Sequence, residues 1–205
     1  MPVERLTPER RRQLTRDALV AAAAEVFTAK GFHAASLDEI ADAAGFTRGA
    51  IYSNFGSKEE LLFAVYDRLD DMTLVAMAEE MDERGGGEIG GATAAAVRMM
   101  SRSRDMIALS LELNLYALRN PEAREHLARL EQQTTQKLAA FIEDAFGRQG
   151  LTLQMPATDL VDIGRAGVNG LELAATINEE NAAHYRELIQ TLFLLLAKAA
   201  AGSNG

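Results

Sequence analysis

Cysteine is absent from the 205 residues, which excludes disulfides, thiolate metal sites and a cysteine nucleophile. Proline occurs only four times, and β-branched residues are sparse. No sustained two-residue alternation of apolar and polar side chains runs through the chain, so nothing argues for strands. Long hydrophobic runs are missing too. The most apolar one, Leu192 to Ala201, is about half the length a membrane span needs. The first residues, MPVERLTPERRRQLTR, lack the apolar centre of a secretory signal. A cytoplasmic protein without membrane contact is the simplest expectation. Histidine is limited to His33, His126 and His184, which are scattered and read as surface or capping residues. There is no HExxH, no GxSxG and no paired carboxylate motif. No catalytic residue, metal site or cofactor is therefore expected.

What remains is helical periodicity nearly throughout. The length suits one medium domain, or a small module joined to a larger one. Apolar spacing places helices near 8–30, 36–44, 47–54, 57–83, 92–103, 105–119, 121–148, 157–178 and 182–200, an all-α chain of about nine helices. Thr7-Pro8 and Asn120-Pro121 each read as an N-cap followed by proline in the first turn, and Met155-Pro156 suits a helix start. Gly85 to Gly87 with Gly90-Gly91 form the one glycine-rich break. It has neither a preceding strand nor a phosphate-loop spacing, so it reads as a linker.

The net charge is −9, which at first argues against a polyanionic partner. Its distribution changes that. Residues 1–60 hold 8 Lys/Arg against 9 Asp/Glu, while residues 61–205 hold 13 against 21. The acidity lies in the C-terminal part. Arg5, Arg10, Arg11, Arg12 and Arg16 cluster at the N-terminus, and a local basic patch suffices for phosphate contact. The same cluster could equally be a solvated helix start.

Within the N-terminal segment, Leu19, Ala22, Ala23, Val26 and Phe27 make one apolar face, and Lys30-Gly31 ends that helix. Ser36-Leu37-Asp38-Glu39 is a capping box, and Ser57-Lys58-Glu59-Glu60 is a second. Between them lie two short helices joined by Ala44-Gly45-Phe46, with Thr47 placed to cap the second. Two such helices and a glycine turn make a helix-turn-helix pattern. Taking about 100° per residue and Arg48 at 0°, Gly49 falls at roughly 100°, Tyr52 at 40°, Ser53 at 140°, and Ile51 and Phe55 near 300° and 340°. Ile51 and Phe55 would anchor the helix, leaving Arg48, Gly49, Tyr52 and Ser53 as an outward strip. Arginine can pair with guanine or phosphate, and the hydroxyls suit phosphate. Glycine in a first turn costs about 1 kcal/mol relative to alanine, which asks for an offsetting reason such as close backbone approach. A plain three-helix bundle is the competing interpretation.

The run AAAEVFTAKGFHAASLDEIADAAGFTRGAIYSNFGSKEELLFAVYD closely resembles the DNA-binding domain of the tetracycline-repressor (TetR) family of transcriptional regulators. That resemblance implies a three-helix DNA-binding domain over 1–56, and a helical effector-binding and dimerisation domain over 57–205. It implies that Thr47, Arg48, Gly49, Tyr52 and Ser53 face operator DNA, with Ser36 and Lys58 at phosphates. Asn54 stands where an aromatic or histidine is frequent, and its role is a phosphate contact or a cap. In the C-terminal part, methionine-rich helices suit an adaptable pocket. The resemblance implies a small-molecule effector among Met72, Met77, Met99, Met100, Met106, Leu109, Leu113, Asn114, Tyr116, Asn169 and Glu172, with Glu112 a further polar group there. Ordinary core is the alternative for any one of them. The final helix is apolar nearly all round, and its neighbour carries small residues. Gly164, Gly167, Val168, Leu171, Ala175, Leu188, Leu192, Phe193 and Leu196 are the expected dimer interface; a buried helix in a monomer is the alternative. The whole reads as a homodimeric, effector-released repressor on a palindromic operator. The competing functions are an architectural DNA binder without effector control and an all-helical small-molecule-binding protein.

Overall fold

The computed structural model describes residues 7–68, 104–148 and 150–201. Among them every regular element is a helix and no strand occurs. The helices are α1 (Pro8–Lys30), α2 (Leu37–Ala44), α3 (Arg48–Phe55), α4 (58–68), α5 (Arg104–Arg119), α6 (Pro121–Arg148), α7 (Ala157–Ile177) and α8 (Ala182–Ala201). A single 3-10 turn, Glu179–Asn181, precedes α8 and was not expected. The expected helix at 92–103, the end of the one at 57–83 and the glycine-rich break lie outside the described residues.

The local signals act largely as their chemistry dictates. Thr7 accepts the Arg10 N–H and Pro8 opens α1, so two of the orphan donors of the first turn are dealt with at once. Ser36 accepts from Glu39 N–H at 3.2 Å while Glu39 accepts from Ser36 N–H at 3.0 Å, a complete capping box. Ser57 accepts the Glu60 N–H. One expectation needs correction. Thr47 stands at the N-cap of α3 with extended backbone, but its side chain makes no capping bond. Pro156 occupies the N-cap of α7, at the expected helix start.

The described residues fall into two compact units, 7–68 with 108–121 and 104–107 with 122–201. In the first, Leu19, Ala23 and Phe27 of α1, Ile40 of α2, Ile51 of α3 and Leu61, Leu62 and Val65 of α4 are almost completely buried. Full burial of such an aliphatic or aromatic side chain stabilises by about 1.5–3 kcal/mol. Helices as short as α2 and α3 need that platform, because eight residues do not hold a helix in water.

The end of α1 shows why Gly31 stands there. Its φ is +78°, and its N–H bonds to the Phe27 carbonyl. The next N–H, of Phe32, donates to Glu112 Oε2 at 2.7 Å. A Cβ on Gly31 would lie 2.6 Å from Glu112 Oε1. Both the backbone angle and the carboxylate therefore call for glycine. Glu112 is thus bound to the main chain of the α1–α2 connection, a correction to its expected place among pocket residues.

In the second unit, α7 and α8 pair closely. Leu196 and Phe193 pack over Gly164, and Leu192 packs over Gly167. Ala139 of α6 packs with Ala157 and Val161 of α7, joined by Leu138, Ile142 and Leu153. The Gln154 N–H donates to the Ala200 carbonyl near the end of α8. No helix among the described residues is long and apolar enough to cross a membrane.

Candidate nucleic-acid interface

The α2–α3 connection turns on Gly45, whose φ and ψ of 72° and 28° are left-handed. Its N–H reaches the Ala41 and Asp42 carbonyls, and the Phe46 N–H returns to Ala41. This closes the end of α2 and starts α3 after Thr47. Ile51 and Phe55 then bury against the platform, as their spacing requires. The same helix therefore presents Arg48, Gly49, Tyr52 and Ser53 on its exposed side, with Tyr52 46% exposed. The outward strip expected from angular position is present.

Its polar groups are organised rather than loose. Arg48 donates through Nη2 to the Tyr52 hydroxyl at 3.1 Å and through Nη1 to Asp38 Oδ2 at 3.2 Å. The guanidinium carbon lies 5.6 Å from the centre of the Tyr52 ring. The Tyr52 hydroxyl first, and then Asp38, hold the Arg48 pKa above its ordinary value. Asp38 was not singled out from the sequence. It lies ten positions from Arg48, and only the crossing of α2 and α3 brings them together. The ion pair is open to solvent, where screening keeps such pairs weak.

Beside this pair is a shallow hollow of about 400 Å³, lined by Ser36, Asp38, Arg48, Tyr52, Ser57 and Lys58 among others. The starts of α2 and α4 both border it, and helix N-termini favour anions. Lys58 lies on the same rim. Its Nζ is 4.6 Å from the centre of the Phe32 ring and reaches the His33 carbonyl at 3.5 Å. Partial burial pushes its pKa down. Of the expected set, Ser36, Arg48, Tyr52 and Lys58 thus come together at one hollow. Thr47, Gly49 and Ser53 lie along the exposed side of α3. Ser53 gives its hydroxyl to the Ala50 carbonyl. Asn54 gives its amide to the same carbonyl at 2.8 Å and is half-buried, turned back on its own helix.

A Cβ built on Gly49 meets only Thr47 Oγ1, at 3.6 Å. That is ordinary contact, so nothing among the described residues requires glycine there.

The remaining expected positions are distributed as follows. Met72, Met77, Met99 and Met100 lie outside the described residues. Leu109 and Leu113 are buried, and Tyr116, with its ring 6.1 Å from that of Phe32, is half-buried. Asn114 is exposed and donates to the Ser110 carbonyl. These four belong to the first unit, whereas Met106, Asn169 and Glu172 belong to the second. Glu172 is buried, and Asn169 lines an open polar groove of about 590 Å³ with Gln132, Thr135, Asp162 and Arg165. Of the expected dimer residues, Gly164 and Val168 are buried. Gly167, Leu171, Ala175, Leu188, Leu192, Phe193 and Leu196 are half-buried. Several of them form the seam between α7 and α8 of one chain. Ile163, Ile177, Leu194 and Leu195 on the same two helices remain exposed. Among the described residues, no group of three or more acidic or histidine side chains is placed to hold a metal ion.

Comparison with known proteins agrees with this geometry. Residues 19–65 match the family of bacterial regulatory proteins, tetR family. The HTH-type transcriptional activator FasR of Mycolicibacterium smegmatis is 51% identical over 53 residues, 26% of this chain and 24% of FasR. The HTH-type transcriptional regulator UidR of Escherichia coli is 27% identical over 133 residues, 65% of this chain and 67% of UidR. The strongest of these matches therefore spans about a quarter of the relative's length. A crystal structure of a TetR-family protein from Rhodococcus sp. superimposes with a TM-score of 0.73 at 20% identity, covering 91% of this chain and all of that one. That likeness is one of fold. The α2–α3 geometry and the matched segment together show that residues 19–65 carry the helix-turn-helix DNA-binding segment of the tetR family of bacterial regulatory proteins, and the chain as a whole has the fold of the Rhodococcus protein.

Proposed function

We propose that the protein is a homodimeric transcriptional repressor that reads a palindromic operator with α3 and is released by a small-molecule effector. The observation that carries the DNA-reading part is the two-sided character of α3. Ile51 and Phe55 are buried, while Arg48, Gly49, Tyr52 and Ser53 face outward beside a hollow bordered by two helix N-termini. Two copies of α3 would enter successive major grooves about one helical turn apart. Arg48 and Tyr52 would contact bases or phosphate, and Ser36 and Lys58 flanking phosphates.

The proposed dimer seam involves α7 and α8. Its support is the group of exposed large apolar residues on those helices, Ile163, Ile177, Leu194 and Leu195, beside the half-buried Leu188, Leu192, Phe193 and Leu196. The proposed effector acts in residues 57–205 and shifts the spacing of the two reading helices by no more than its differential affinity for the two states allows.

The test is a footprint and gel-shift titration on DNA upstream of the protein's own gene, at two salt concentrations, followed by a small-molecule panel. A protected palindrome is expected, with affinity falling steeply in salt and dropping by about 1–3 kcal/mol in Tyr52→Ala or Arg48→Ala. Salt-independent or absent binding would leave an all-helical ligand-binding protein. Binding without sequence preference and without ligand release would leave an architectural DNA binder. Raised rather than lowered transcription from the footprinted promoter would make the protein an activator.

A further inference from the structure

Four arginines of the N-terminal cluster are described, and they divide. Arg10, Arg11 and Arg12 are exposed on the first turns of α1, while Arg16 is half-buried. Its Nη1 donates to the main-chain carbonyl of Asn54 at 3.0 Å, and its guanidinium carbon lies 4.3 Å from the centre of the Phe55 ring. Asn54 and Phe55 are the last two residues of α3.

We propose that Arg16 is the positioning residue of the reading helix: it clamps the C-terminal end of α3 to α1 and is not a phosphate contact. This rests on the DNA-reading role of α3 proposed above. A helix leaves its last four carbonyls without partners inside the helix, and its C-terminus carries partial negative charge. α3 has no basic residue in its last turn, no acidic residue in its first and no side-chain cap at Thr47. Within its own sequence it therefore has almost nothing to satisfy either end. Gly56, at φ +77°, returns its N–H to Tyr52. Arg16 supplies the cation from 38 positions away. Stacking on Phe55 fixes the plane of the guanidinium, and Phe55 is itself the buried anchor that borders the exposed strip. The end of α3 on which Tyr52 and Ser53 stand is thus held from behind by a group that does not face outward. A planar fork suits this place, and a lysine ammonium does not reproduce it.

A phosphate contact and a positioning clamp predict different behaviour. The probe is a DNA duplex selected from a random pool by the wild-type protein, titrated over a salt series against wild type, Arg16→Lys and Arg16→Met. Amide hydrogen exchange is followed on the same proteins without DNA. Both variants are expected to bind the duplex more weakly, on the order of tenfold, the loss of one hydrogen bond to a charged group. The slope of log affinity against log salt is expected to stay at the wild-type value. Exchange is expected to quicken in α3 and not in α1 or α2. Three outcomes would overturn the proposal. The first is a slope reduced by about 0.9 with binding restored by lysine, the mark of a lost phosphate contact. The second is unchanged affinity in both variants. The third is exchange that quickens uniformly, the mark of general destabilisation. If the wild-type protein selects no duplex, the DNA-reading proposal fails, and the exchange measurement still decides whether Arg16 holds α3.

Discussion

The helices α3 and α8 both leave part of their surface uncovered among the described residues, and the two surfaces differ in kind. On α3 the buried side is Ile51 and Phe55, and the open side carries Arg48, Gly49, Tyr52 and Ser53. On α8 the side toward α7 is apolar, and the open side is mixed, with Leu194 48% and Leu195 60% exposed among Arg186, Glu187, Gln190, Thr191 and Lys198. An exposed polar strip needs no cover in water, so its residue choice must be explained by what it meets. An exposed apolar face loses free energy in water and calls for another apolar surface. The proposed operator DNA suits the first surface, and the proposed second copy of the chain would cover the exposed leucines of the second.

The comparison can be broken at several points. The largest effect is expected at the anchor of α3. Phe55→Ala removes a buried ring and the surface on which Arg16 stacks, and should cost about 3–5 kcal/mol, measured by urea unfolding. If the loss were under about 1 kcal/mol, the burial-based division of α3 into two sides would be wrong. Next in size is the open face of α8. Leu195→Lys should shift the protein toward monomer in analytical ultracentrifugation with helical content unchanged, because an unpaired charge in an apolar seam costs several kcal/mol. An unaltered sedimentation coefficient would remove Leu195 from the seam.

A smaller effect with opposite signs in two assays separates fold from function at Gly49. Alanine fits the available space, so Gly49→Ala should raise stability by up to about 1 kcal/mol. It should nevertheless weaken DNA binding if the backbone of α3 approaches the duplex. A variant that is more stable and binds equally well would leave the glycine unexplained.

The smallest effect concerns the cap of α2. Lys30 at 2.6 Å, together with the Ser36 N–H, holds the Glu39 carboxyl down to about 2 from 4.5. Its folded-state pKa is depressed, so its contribution to stability is present above about pH 4.5 and fades as pH falls toward 2. The melting-temperature gap between wild type and Glu39→Gln should therefore narrow over that range. A gap that is constant with pH would show that the carboxylate form is not what the cap needs.

The legible parts of the fold share a scale. The capping box at Ser36 and Glu39, the Thr7-Pro8 start and the inward pair Ile51 and Phe55 involve residues three or four apart, and helical geometry alone brings such residues together. The outward strip of α3 was readable for the same reason, since one face follows from the other. Thr47 shows the limit of this local reasoning. The residue type and the position are right for a cap, yet its hydroxyl makes no capping bond. Glu112 shows another limit. A carboxylate in an apolar stretch suggests a pocket, but its partner is the Phe32 N–H, 80 positions earlier in the chain.

By itself, then, the sequence determined the α-helices of the described residues, the caps at Thr7, Ser36 and Ser57, the glycine turn and which side of α3 is buried, because those follow from periodicity and short-range hydrogen bonding. Only the tertiary structure decided that Asp38 holds Arg48, that Arg16 serves α3 rather than standing free, and that Gly31 makes room for Glu112. Each of these joins residues on different helices. Such a contact depends on how the helices cross and on where a side chain a few ångströms long can reach, and neither is carried by residue spacing.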